Sequence, residues 1–520
     1  MDGVALLGLL VLGVIVLTPL AERISVPQPV VLTIYGLVLG VLPVVPGPSL
    51  NPDLILPLVL PPLLFAATQS TSVRELREAA RPILALAVGL TLVTALVVTL
   101  VGHALGLPWA VAAVLGAVVS PPDPVAASAV ASRLRLPPRL VTLLEGEGQF
   151  NDATALVIYQ LSVMAVVAGG VTVGEVGLSL LVAVGGGAAL GLAGGWLARW
   201  ALGHLHDAAT ETTVTLAMPF ALYLLAEQVE ASGVLAVLVA GLFLRGTLSR
   251  EVTSAGWLLG RSVWEYVEFA VSGLLFGFLG VELTSVLGTT ELFDDTHVLL
   301  VAAAVLGVLV LLRAAAMFSA SAIAGRRARR ANSATPYGWR ESAVASWAGM
   351  RGVVTVATAL ALPEVVDGGG SFPAREEVVL VALLVVLVTL VMQGLTLAPL
   401  IRRLGVASDA DVRADTRRLH RLVAEAALEQ LRRADDVDPQ VRAAVVEQYE
   451  SRLGYRKQVD GLVDGDLGGE GAADQLRELL ARGTEAEREA ALEARRTGQV
   501  SPAAADDVLF DVEARALRHG

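Results

Sequence analysis

Cysteine is absent from the 520 residues, which excludes disulfides and thiolate metal sites. Lysine occurs once, at Lys457, so arginine carries nearly all the basic charge, a pattern that coding bias explains without a mechanism. Charged residues make up only 17% and aromatics 5%, against 55% hydrophobic residues and a mean hydropathy of +0.67. A soluble chain of this size has no need of so much apolar surface, whereas a polytopic membrane protein does. The net charge of −12 argues against a nucleic-acid partner. His103, His204, His206 and His297 fall in or near loops, which argues against a histidine metal centre. No Ser–His pair, HExxH or paired aspartyl motif points to an intramembrane enzyme, and no carbonyl-filter motif points to a channel.

What is present is a long series of apolar segments. They lie near residues 3–20, 28–45, 53–69, 82–104, 108–131, 139–167, 174–202, 211–229, 231–246, 262–287, 296–324, 340–362 and 377–401. The first lacks a basic flank and carries Asp2, so it reads as a spanning helix and not as a cleavable signal. Arginines mark alternate loops: Arg23; Arg74, Arg77 and Arg81; Arg133, Arg135 and Arg139; Arg199; Arg245, Arg250 and Arg261; then Arg326, Arg327, Arg329, Arg330 and Arg340. The other loops carry almost none, Arg375 beside Glu376 and Glu377 being the exception. The positive-inside rule then places the N-terminus outside, and thirteen spans leave the C-terminus in the cytoplasm.

Composition changes near Gly405. Residues 1–403 hold 21 basic and 26 acidic side chains; residues 404–520 hold 17 and 24 in a much shorter and more polar stretch. The expected division is a transmembrane domain at 1–403 and a helical cytoplasmic domain at 404–520. The tail has runs such as "DTRRLHRLVAEAALEQLRR" with leucine and alanine at helical spacing, separated by a glycine- and acid-rich linker, "DGLVDGDLGGEGAAD". Packing or interaction is the simplest role for it.

Ionisable groups at membrane depth are costly and face a cavity or a partner. "LLEGEGQFNDATALVIYQL", residues 143–161, carries Glu145, Glu147, Asn151 and Asp152. Asp152 sits midway along its segment, and Glu147 lies about 7.5 Å nearer the cytoplasm along the axis. "SPPDP" cannot be continuous helix, because Pro121, Pro122 and Pro124 each remove a donor. Freed carbonyls beside Asp123 outline a cation site. "WAGMRGVV" is a second expected break, with Gly349 and Gly352 flanking Arg351. The breaks fall in the fifth and twelfth segments, the same position in two six-segment repeats joined by the seventh, as in an inverted-repeat transporter with two discontinuous crossing helices. The plainer readings are that a lone Asp152 is a structural hydrogen-bonding residue, that Asn151 cross-links helices, that Glu147 and Arg351 form a structural pair, and that Arg313 snorkels or caps a break. Glu268 and Glu282 read as facing loops or a dimer contact.

"SPPDPVAA", "EGEGQFNDATALVIY" and "WAGMRGVVTVATALALP", together with "LPPLLFAA" and "RELR", resemble the cation/proton antiporter superfamily, in its bacterial sodium/proton exchanger (NhaP-type) branch, over residues 1–403. The resemblance implies about thirteen transmembrane helices, a homodimer in the cell membrane, no cofactor, and exchange of Na⁺ or Li⁺ for H⁺. By position, Asp152 would bind either the cation or the proton. Asn151 stands where electrogenic relatives have a second aspartate, which implies electroneutral one-for-one exchange. Asp123 would act on the Na⁺ through water, carbonyls around Pro122 would coordinate it, and Glu147 would pair with Arg351 and contact the ion. Gly148 replaces a usual serine ligand, leaving Gln149 or Ser120 to supply the oxygen, and Ala66 replaces an acidic residue. A buried carboxylate that holds H⁺ or Na⁺, not both, would couple the two gradients as one bundle rocks against the other. Hard oxygen ligands leave K⁺ open as an alternative substrate; a cation channel or a membrane sensor with the tail as output is the other class.

Overall fold

A computed structural model describes residues 3–24, 26–42, 52–70, 73–123, 136–169, 173–247, 252–289, 296–330, 338–367, 369–406, 412–452, 472–497 and 499–519. Among these the regular elements are helices, apart from an isolated antiparallel bridge between Val365 and Ser371. A helix satisfies its backbone groups within itself, which is what a segment in lipid requires. Seven of the described helices are long and apolar enough to cross a bilayer, and shorter apolar helices accompany them at Ala5–Ala21, Gln28–Val41, Leu54–Gln69, Trp109–Val119 and Gly233–Thr247. Pro124, Arg133, Arg135, Arg250, the last third of the fifth apolar segment and nearly all of the tail linker lie outside the described residues.

Contacts divide the chain into two compact units. The first comprises Met1–Ala198, Leu216–Gly246 and Trp264–Ser408. Its helices are α1 (Gly3–Ile24), α2 (Gln28–Val41), α3 (Pro52–Ser70), α4 (Val73–Glu78), α5 (Ala80–Ala104), α6 (Trp109–Val119) and α7 (Pro138–Val167). After them come α8 (Gly174–Leu202), α9 (Ala208–Gln228), α10 (Gly233–Thr247), α11 (Ser254–Thr289), α12 (Thr296–Arg330), α13 (Trp339–Trp347), α14 (Val353–Leu360) and α15 (Arg375–Leu404). Helices α8, α9 and α11 also contribute residues to the second unit.

Two chain breaks organise the first unit. Helix α6 ends at Val119, immediately before Ser120, Pro121 and Pro122. The prolines have no N–H to continue the ladder, so the last carbonyls of α6 are left over. Helix α13 ends at Trp347 and α14 begins at Val353, with the five residues between them non-helical. Around them Leu76, Ile83, Leu140, Leu144, Val344, Met350 and Leu397 form a continuous apolar core from α4, α5, α7, the second break and its flanking helices. Lipid is as apolar as leucine, so helix pairs here depend on close fit. Helices α2 and α11 show it: a Cβ at Gly36 would lie 1.9 Å from the Gly277 carbonyl oxygen, and one at Gly280 would lie 2.3 Å from the Thr33 oxygen.

The second unit comprises Arg199–Thr215, Thr247–Val263 and Asp409–Gly520. It contains α16 (Val412–Arg432), α17 (Pro439–Arg452), α18 (Ala472–Thr497) and α19 (Pro502–His519). Leu431, Val441, Val445, Tyr449 and Leu479 fill one half of its core, and Leu419, Val423, Ala491, Val508 and Val512 the other, with Trp257 packed against the second half. The amphipathic period read from the sequence thus matches a helical bundle held by buried apolar faces. The Arg261 guanidinium lies over the rings of Trp257 and Phe510 and donates to the Asp506 carbonyl. Arg488 pairs with Glu513 at 2.9 Å and donates to the Val252 carbonyl at 3.0 Å.

Candidate functional site

The two breaks lie against each other, and each answers the other's unpaired backbone. Arg351, in the second break, donates from Nε to the Val119 oxygen at 2.9 Å and from Nη2 to the Ser120 oxygen at 3.2 Å. Those are the carbonyls at the C-terminal end of α6, where no further helical turn supplies an N–H. Its Nη1 donates to the Gly349 oxygen. In return, Asp123 accepts from the Val353 N–H at the start of α14, at 3.2 Å on Oδ2, while its own N–H donates to the Met350 oxygen at 2.7 Å. A helix C-terminus carries partial negative charge and an N-terminus partial positive charge. The cation therefore sits on the negative helix end and the carboxylate on the positive one.

Small residues allow this approach. A Cβ at Gly352 would fall 1.4 Å from Asp123 Oδ2. The Arg351 backbone N–H is held by Thr389 Oγ1 of α15 at 3.1 Å.

Helix α7 supplies the third side. Asn151 is fully buried and donates from Nδ2 to the Pro122 oxygen at 2.9 Å, which ties α7 to the first break. Its Oδ1 is buried without a partner among the described residues. Asp152 follows directly on α7 and is a half-buried residue.

Glu147 departs from expectation. Its ion pair is with Arg313 of α12, not with Arg351: Nη1 to Oε1 is 2.7 Å and Nη2 to Oε2 is 3.1 Å, a two-pronged pair with both side chains at least 95% buried. Arg313 Nε also donates to the Ala345 oxygen at 3.0 Å. The physical reason is competition for donors. Arg351 is consumed by three carbonyls of the breaks, and Arg313 reaches Glu147 through the space left at Gly349, where a Cβ would lie 2.1 Å from Arg313 Cδ.

Two expected oxygen ligands also give their protons to backbone carbonyls. Ser120 Oγ donates to the Ala117 oxygen of its own helix at 3.1 Å. Gln149 Nε2 donates to the Ala67 oxygen of α3 at 2.9 Å. The structure thus brings Asp123, Pro122, Asn151 and Arg351 together, sets Asp152 next to them on α7, and gives Glu147 to a neighbouring pair. Glu268 and Glu282 are half-buried on α11. Sequence reading missed Thr389 as the anchor of Arg351 and Arg313 as the partner of Glu147. A lone arginine in the middle of an apolar segment was the available signal for the latter.

Residues 9–403 match the family model described as "Sodium/hydrogen exchanger, transmembrane". An uncharacterised Na⁺/H⁺ exchanger of Mycobacterium tuberculosis is 33% identical over 458 residues, covering 86% of this chain and 84% of the relative. The Na⁺/H⁺ antiporter ApNhaP of Aphanothece halophytica is 29% identical, covering 79% and 76%. A Bacillus pumilus relative named a sodium, potassium, lithium and rubidium/H⁺ antiporter is 29% identical, covering 82% and 66%. Among solved structures, the sodium proton antiporter MjNhaP1 of Methanocaldococcus jannaschii at pH 8 superposes with a TM-score of 0.61 at 21% identity, covering 77% of this chain and 98% of that one.

Proposed function

The chain belongs to the sodium/hydrogen exchanger family, a multi-pass family of cation/proton antiporters and not of enzymes, and on that premise we propose that it exchanges Na⁺ or Li⁺ for H⁺ one for one at Asp152. The observation that carries this reading is how the local charges are used. Arg351 and Asp123 face the two helix ends across the breaks, and Glu147 and Arg313 neutralise each other. Asp152 is the carboxylate left beside an unpartnered amide oxygen, Asn151 Oδ1. A carboxylate there can hold a proton, or release it to a cation that the amide oxygen also contacts. Asn151 cannot carry a proton, so one charge moves each way and the exchange is electroneutral.

In this reading Asp123 and the Pro122 carbonyl border the ion, Ser120 and Gln149 hold their helices in place, and Glu147 fixes α7 to α12. The arginine-bearing loops and the tail lie on the cytoplasmic side of the cell membrane, with the N-terminus outside, and the protein is a homodimer. Transport follows from moving the loaded site between two faces by rocking of one bundle against the other. The name of the Bacillus pumilus relative supports a second reading, in which K⁺ is also a substrate.

The test is reconstitution of wild type and Asp152→Asn in vesicles with an imposed proton gradient, followed by NaCl, LiCl or KCl. Wild type is expected to collapse the gradient with Na⁺ at a rate unaffected by clamping the membrane voltage, and Asp152→Asn to do nothing. Coupled transport by a folded Asp152→Asn would refute the site, and a rate that follows the voltage would refute the one-for-one stoichiometry.

A further inference from the structure

Thr355 lies on the third residue of α14, three after Gly352. It is in the first turn of that helix, two residues after Val353, whose N–H Asp123 accepts. It is 1% exposed, and its Oγ1 has no partner among the described residues. Thr154, Thr358 and Thr389 each donate to the carbonyl four residues back, at 2.7 to 2.8 Å. For Thr355 the residue four back is Arg351, which belongs to the break and not to a helix. The hydroxyl is thereby released from the usual local bond, and a buried hydroxyl without a partner is unfavourable.

Asn151 Oδ1 is in the same condition. Its Nδ2 is fixed on the Pro122 oxygen, one residue before Asp123, so the amide is oriented and the oxygen is what remains. Two orphaned, buried, neutral oxygens therefore sit on the two helices bonded to the Pro122–Asp123 segment, one on α7 and one on α14. A site that holds only protons has no use for them, while a bare cation needs several oxygens and gains most from ones that pay no further desolvation.

We propose that Thr355 Oγ1, with Asn151 Oδ1, ligates the transported cation and sets the preference for a small alkali ion. The inference rests on the exchange at Asp152. A smaller ion approaches each oxygen more closely, so it loses more when one is removed. Thr355→Val keeps the shape and deletes the hydroxyl; Thr355→Ser keeps the hydroxyl.

The experiment measures half-saturating Na⁺ and K⁺ and maximal rate for wild type, both variants and Asp152→Asn in the same vesicles. Thr355→Val is expected to raise half-saturating Na⁺ about tenfold, to raise K⁺ less so that the Na⁺ preference falls, and to leave the maximal rate near wild type; Thr355→Ser restores the Na⁺ value. Should the valine variant fail to run as a folded peak in size-exclusion chromatography, Thr355→Ala gives the same readouts. Wild-type Na⁺ half-saturation in a folded hydroxyl-less variant, with Asp152→Asn inactive, overturns the ligand role of Thr355 alone. Coupled transport by Asp152→Asn overturns the underlying site instead.

Discussion

Deleting Glu147 tests which arginine it serves. The Glu147–Arg313 pair has two short contacts, 2.7 and 3.1 Å, with the guanidinium 5% and the carboxylate 2% exposed. Removing one partner of such a pair leaves the other charge buried and unpaired, at about 3–5 kcal/mol. Replacing both with neutral groups of similar shape costs far less, because no charge is stranded. Glu147→Gln and Arg313→Met should each lower the apparent unfolding midpoint of the solubilised protein markedly. The double variant should recover much of the loss, a coupling of about 2 kcal/mol or more in a double-mutant cycle. The same cycle between Glu147 and Arg351 should give a much smaller coupling. Arg351 donates to the Val119, Ser120 and Gly349 carbonyls, and those stay unpaired whether or not Glu147 is present. Coupling to Arg351 as large as to Arg313 would refute the assignment of partners.

Two further perturbations follow from close contacts. Gly352→Ala places a methyl 1.4 Å from Asp123 Oδ2, so the carboxylate must leave the Val353 N–H; ion exchange should fall by at least tenfold, whereas Gly8→Ala, with nothing within 4 Å, should leave the vesicle assay unchanged. In the tail, Arg488→Ala strands the Glu513 carboxylate, which is 3% exposed, and should make the tail helices readily cleaved in limited proteolysis; Arg433→Ala breaks a pair exposed at 71% and 64% and should not.

The helical architecture was legible because lipid leaves few solutions: apolar runs of spanning length become helices, and short loops, alternately rich and poor in arginine, separate them. The breaks were legible for a chemical reason, since Pro121 and Pro122 cannot donate and Arg351 lies between two glycines. That a charged group would answer the freed carbonyls was foreseeable as well. Which group would do so was not. Glu147 and Arg351 make a plausible pair by charge alone, and only the crossing geometry shows that Arg351 has three carbonyl acceptors while Gly349 opens a route for Arg313. The bonds that the Ser120 hydroxyl and the Gln149 amide N–H make were hidden for a related reason. A sequence gives the oxygen atoms a residue owns, not the acceptors already waiting beside it, here Ala117 and Ala67.

The arrangement at the crossing bears on how a transporter can bind a cation in an apolar core and still release it. Arg351 and Asp123 each cap a helix end from the opposite break, and Glu147 and Arg313 pair with each other. Under the proposed function, loading Asp152 with H⁺ or with a monovalent cation leaves the same net charge at the site. Both loaded forms then meet the same electrostatic cost when the breaks move, whereas the empty carboxylate, one charge more negative, does not. Under the proposed function, that difference is what makes the exchange obligatory: the bundle crosses with either ion and resists crossing with neither.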